Sequence, residues 1–171
     1  MKKKKSRRAT SVAAKHRPTA PAVGPSARER AISLARQFKL PEAIAILRAA
    51  LLSVEQTVDA APADVASVLV DLAQLRAATG DLPAATADAL RAVSLLRPMG
   101  AAQNAALGFA LLTLARLEFA ASVDAAPTTL RESLQLLTDA HGADHAITQQ
   151  ALQIARLTGV MGTPTSPHHG L

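Results

Sequence analysis

The chain contains no cysteine, no tryptophan and no tyrosine, and its aromatic residues are Phe38, Phe109 and Phe119 alone. Without cysteine there is no disulfide framework, no thiolate metal site and no thiol nucleophile. Without β-branched or aromatic runs there is no strand signal. No stretch of about 18 uncharged apolar residues occurs, which argues against a membrane-spanning helix. The basic start is not followed by an apolar run, so a secretory signal is not expected. Sequence alone therefore points to a soluble, cytoplasmic protein. No HExxH, Gly-rich phosphate loop or Gly-x-Ser-x-Gly elbow appears, and the expectation is that the protein is not an enzyme and has no cofactor.

What is present is helix-forming material. Hydrophobic residues make up 49% of the 171 positions, mostly Ala, Leu and Val, and Ala and Leu lead the helix-propensity scale. Charge is unevenly placed. Residues 1–30 hold ten Lys or Arg against Glu29, a balance of +9, whereas residues 31–171 hold nine bases and twelve acids, a balance of −3. A basic arm is thus joined to a mildly acidic body, which points to an anionic partner for the arm. Residues 1–25 carry three prolines and no apolar periodicity, and read as disordered, as do residues 161–171. Lys2, Lys3, Lys4, Lys5, Arg7 and Arg8 form the arm's densest cluster. With no aromatic residue among them, any nucleic-acid binding would be sequence-blind, and a solubilising tail is the competing reading. Within the arm, "RRAT" resembles a basophilic kinase site at Thr10.

Residues 26–160 read as one helical domain. Helices are expected near 27–38, 41–57, 63–79, 83–97, 102–121, 128–140 and 145–158. Gly80 stops the third, Asp81 caps the fourth with Pro83 in its first turn, and Asp144 is suited to cap the last. Small residues such as Ala73, Ala85 and Ala92 are expected at helix–helix contacts. Asp64, Asp71, Asp81 and Asp88 are assigned to solvent faces or caps. His141 and His145 are spaced like metal ligands, but the reading favoured is a structural histidine near a helix cap. His168 and His169 sit in the tail.

"LPEAIAILRAALLSV" from Leu40 is echoed by "LPAATADALRAVSLL" from Leu82, and Ala31, Ala73 and Ala115 share the same 42-residue step. A fixed period of this size marks stacked helical repeats. "LAQLRAATGDLPAATADALRAV", with Leu72, Ala73, Gly80, Asp81, Ala85 and Ala92, resembles the tetratricopeptide repeat. The pitch and "DAHGADHAITQQAL" resemble its kinesin-light-chain-type variant. The likeness covers about residues 27–158. It departs where Arg76 and Ala89 replace the usual aromatics and where Phe38-Lys39 replaces the Gly-Asp turn. A generic α-solenoid of the HEAT kind, with a similar pitch, stays an alternative.

The resemblance implies an all-α, right-handed α-solenoid of about three antiparallel helix pairs plus a terminal helix, with disordered tails. It implies a protein–protein interaction module or adaptor that binds a peptide or partner protein in its concave groove. Carried onto this chain, the groove residues are Arg36, Val70, Gln74, Phe109, Leu112, Arg116 and Phe119. The alternative is a nucleic-acid- or ribosome-associated protein that uses the basic arm.

Overall fold

A computed structural model describes residues 26–57 and 60–160. The basic arm, Thr10, His168 and His169 lie outside the described residues. Seven α-helices follow one another, and there is no strand among the described residues: α1 (Ala27–Arg36), α2 (Leu40–Glu55), α3 (Pro62–Ala78), α4 (Leu82–Leu96), α5 (Asn104–Ala120), α6 (Ala126–His141) and α7 (Ala146–Leu157). Two 3₁₀ turns, Arg97–Met99 and Ala101–Gln103, separate α4 from α5, as Pro98 and Gly100 dictate. No helix among the described residues is long and apolar enough to cross a membrane.

Side-chain caps start three of the seven helices, α1, α4 and α7. Ser26 and Glu29 form a reciprocal capping box at α1: the Glu29 N–H donates to Ser26 Oγ (3.2 Å) and the Ser26 N–H donates to Glu29 Oε2 (2.6 Å). Those bonds hold the Glu29 carboxyl below its ordinary pKa. Asp81 caps α4 by accepting from the Ala84 N–H at 3.3 Å. At α7 the cap is His145, not Asp144: His145 Nδ1 accepts from the Ile147 N–H at 3.3 Å. The cap therefore sits one residue later than Asp144, whose carboxylate is the more familiar capping group.

The helix ends recur at a constant interval. Helices α1, α3 and α5 end at 36, 78 and 120, and α3, α5 and α7 begin at 62, 104 and 146, each a step of 42. The turns that follow share one hydrogen-bond pattern. The N–H groups of Lys39, Asp81 and Val123 donate to the carbonyls of Leu34, Arg76 and Glu118, while those of Phe38, Gly80 and Ser122 donate to Ala35, Ala77 and Phe119. The residue at the bend has φ of +61° at Phe38, +85° at Gly80 and +55° at Ser122. This is the Schellman termination, in which a left-handed residue satisfies the last carbonyls. Glycine adopts it freely, whereas a side chain there costs about 1–2 kcal/mol. Phe38 is 90% exposed, so its ring gains nothing by packing. Phe38→Gly is expected to raise stability by about 1 kcal/mol in a urea melt. A loss of stability would show that the exposed ring has a packing role.

Sequential helices pack on one another along the chain, and α3 also meets α5. The apolar interior follows the same order as three clusters. Ala31, Ala43, Leu47 and Leu72 join α1, α2 and α3. A larger cluster joins α3, α4 and α5 through residues such as Leu69, Ala85, Leu96 and Leu111. Leu112, Ala115, Leu130, Leu137, Ala151 and Ala155 join α5, α6 and α7. Helices α3 and α5 each enter two clusters, so they are covered on two sides. Ala73, Ala85 and Ala92 are fully buried, as expected of small residues where backbones approach. Gly108 has the same role between α5 and α6. A Cβ there would lie 3.0 Å from Leu137 Cγ, and its carbonyl accepts from Ser133 Oγ at 2.7 Å.

Two aspartates do not sit where the sequence reading put them. Asp88 is buried, 2.6 Å from Arg76 Nη1 across the α3–α4 interface. Asp71 is half-buried and faces Arg28 of α1, with Arg28 Nη2 donating to Asp71 Oδ1 at 3.1 Å. A lone charged residue on a helix reads as solvent-facing unless the partner that neutralises it is known, and each partner here lies on another helix.

Candidate interaction groove

One face of α1, α3, α5 and α7 is hollowed into contiguous recesses. The first, about 290 Å³, is lined by Ile32, Ala35, Arg36, Asp71, Gln74 and Leu75 among others. The second, about 400 Å³, takes in Gln74, Ala77, Ala78, Thr113, Arg116 and Leu117. The third, about 330 Å³, is bounded by Arg116, Phe119, Gln150, Gln153, Ile154 and Leu157. Gln74 borders the first and second, and Arg116 the second and third, so the three recesses follow one another across α1, α3, α5 and α7. A fourth, smaller recess of about 180 Å³ adjoins the first through Arg28 and includes Ser67, Val70 and Phe109.

The expected groove residues divide accordingly. Arg36, Gln74, Arg116 and Phe119 line the main groove. Val70 and Phe109 meet in the fourth recess, where Val70 is buried and Phe109 half-buried. Leu112 is a correction. It is 1% exposed and belongs to the cluster that α5 makes with α6 and α7. Leu112 and Arg116 share a helical stripe by their four-residue spacing, but α6 and α7 cover the Leu112 turn.

Sequence reasoning missed the contribution of α7, namely Gln150, Gln153, Ile154, Leu157 and Thr158. The signal that would have found it is the 42-residue step. Ile32, Gln74, Arg116 and Thr158 are successive members of that series, and all four line the groove.

The electrostatics of the lining are simple. Asp71 is engaged by Arg28, and burial raises its pKa although the guanidinium opposes the shift. Arg36 and Arg116 are exposed and form no ion pair among the described residues. Gln74 Nε2 reaches Thr113 Oγ1 only at 3.4 Å, a long bond that leaves the amide free to exchange partners.

The histidine pair lies at the α6–α7 junction. The His141 and His145 rings stack with centroids 4.4 Å apart and an interplanar angle of 20°. Stacked rings do not converge their lone pairs on one point, and His145 Nδ1 is engaged as a cap acceptor. No group of three metal-ligating side chains occurs among the described residues.

No family model matches the chain, and comparison with curated proteins gives no match either.

Proposed function

We propose that this chain is a tetratricopeptide-like, right-handed array of antiparallel helix pairs that binds a peptide or partner protein in the groove on α1, α3, α5 and α7. One observation carries the reading. Positions 32, 74, 116 and 158 follow each other at the repeat interval and line a row of three recesses, with Gln74 and Arg116 each shared by two of them. A stacked repeat brings equivalent residues to the same side, and a ligand laid across the stack meets one from each unit. The lining suits binding and not catalysis. Small apolar side chains leave room for a chain, the side-chain amides of Gln74, Gln150 and Gln153 can pair with its backbone, and Arg36 and Arg116 have no ion pair among the described residues.

The experiment is Arg116→Ala in the full chain, with affinity for a captured partner and helical content measured together. A guanidinium–carboxylate contact contributes about 1.5–3 kcal/mol, so affinity should fall tenfold or more while helicity is unchanged. If affinity and helicity both hold, the partner does not use this groove.

A second reading rests on the +9 balance of residues 1–30: binding of nucleic acid or the ribosome by the arm. It predicts loss of binding when residues 1–17 are removed. If about five phosphates of duplex DNA are contacted, log K should fall against log salt with a slope near −4.5. Binding that survives both deletion and high salt would move the activity to the helical body.

A further inference from the structure

The turn between α1 and α2 holds an aromatic ring in solvent at a cost to the backbone. Phe38 is 90% exposed with φ of +61°, where the corresponding turns use Gly80 and Ser122. Phe109 and Phe119, by contrast, are half-buried and pack against the apolar clusters. A single exposed apolar side chain is ordinary on a protein surface. One that also strains its backbone and gains no packing is not, and such outliers concentrate where a ligand is engaged. None of the four recesses described above is lined by Phe38. The ring is a protrusion, not part of a cradle.

The charge beside the ring is basic. Arg36 and Lys39 flank it, both exposed and without an ion pair among the described residues. The nearest acid along the chain is Glu42, in the first turn of α2. At the later turns Asp81 stands where the first has Lys39, and Asp124 follows Val123, so the basic corner is confined to α1 and α2. Residues 1–30, with their balance of +9, lead into the same corner. Helix α1 has ten residues and so separates the arm from the turn by only about 15 Å.

We infer that this corner docks on an anionic phospholipid surface, with the Phe38 ring inserted among the headgroups and the basic side chains of Lys39 and the arm against the lipid phosphates. The inference does not rest on the groove reading. A basic segment alone is held loosely and one apolar group alone marginally, whereas the two together attach a protein stably. A fluid bilayer suits the pair because it presents negative charge over an area and needs no shaped pocket. The arm has neither aromatic residues nor apolar periodicity, so it carries no pattern for a shaped site to read. Single-stranded nucleic acid suits the corner less. Proteins that stack bases line a groove with successive rings, and here one ring stands on a tip.

The test uses the full chain carrying Phe38→Trp, whose indole is the sole tryptophan of that variant. It is titrated with vesicles of phosphatidylserine and phosphatidylcholine in equal parts, and with vesicles of phosphatidylcholine alone. The anionic vesicles should move the emission to the blue, and the neutral ones should not. In co-sedimentation, Phe38→Gly should weaken binding to anionic vesicles about tenfold, the loss expected when one aromatic ring stays in water. That variant should melt no lower than the parent chain, so its loss of binding is not unfolding. Val123→Ala, an exposed apolar residue on the third turn, should bind as the parent does. Emission unmoved by anionic vesicles, an equal shift with neutral ones, or equal binding by Phe38→Gly and Val123→Ala would overturn the inference. A single-stranded oligonucleotide that quenches the indole, while anionic vesicles leave its emission unmoved, replaces the lipid with nucleic acid.

Discussion

Replacing Asp88 with alanine is expected to destabilise the fold by about 3 kcal/mol, the lower end for breaking a buried ion pair. Asp88 Oδ2 lies 2.6 Å from Arg76 Nη1, and the two side chains retain 12% and 19% of their exposure. Without the carboxylate, the guanidinium stays between α3 and α4 with no counter-charge. It keeps enough contact with solvent to hold the cost near the lower end. A urea titration should show a lower midpoint with an unchanged slope.

The double variant Arg76→Leu/Asp88→Ile separates the charge from the packing. One interval earlier, the corresponding positions are Leu34 and Ile46, which pack as partly buried apolar side chains at the α1–α2 contact. Apolar replacement of a buried pair is commonly neutral or stabilising, so the double variant should recover most of the loss. If it is as unstable as Asp88→Ala, the ion pair is not what α3 and α4 depend on.

The same pair has a pH signature. Burial raises the Asp88 pKa above 3.8, more than Arg76 beside it lowers it. Between those two values the folded chain holds a proton that the unfolded chain has lost, so folding takes up a proton. Asp88 thus contributes stability as pH falls through its raised pKa and loses it as pH rises through that value. The double variant should lack this contribution, while Asp71, shifted the same way by burial, keeps its own.

Ala85→Leu is expected to cost about 1–3 kcal/mol through overpacking. Ala85, Ala89 and Ala92 form the inward stripe of α4 and are fully buried. Three alanines at that spacing let the α3 and α4 backbones approach closely. The larger side chain must push the helices apart or leave its rotamer. At about 2–4 °C per kcal/mol for a domain of this size, melting should fall measurably. Ala87→Leu on the exposed side of the same helix is the control, with a change within about 0.5 kcal/mol. Equal melting temperatures for the two variants would show that α3 and α4 do not depend on small residues for their approach.

Legibility from sequence differed sharply between the helices and the site. The fourth helix was expected at 83–97 and runs Leu82–Leu96, because Asp81, Pro83 and Pro98 act within a turn of where they stand. The sixth was expected from 128 and begins at Ala126, with Pro127 in its first turn. Of the residues that the family resemblance implied, Arg36, Gln74, Arg116 and Phe119 line recesses on α1, α3, α5 and α7, whereas Leu112 is covered by α6 and α7. Spacing defines a stripe along a helix. It does not say how far along that stripe the next helix extends.

The amino-acid sequence by itself determined that the chain is helical, where its helices start and stop, and that its landmarks recur every 42 residues. These depend on capping groups, prolines and left-handed residues, whose energies act over a few ångströms along the chain. Tertiary structure alone decided that Asp88 pairs with Arg76 inside an interface, that Arg28 engages Asp71, and that α6 and α7 cover Leu112. Burial and charge pairing depend on which distant helix arrives at a given face, and a residue carries no local record of that neighbour.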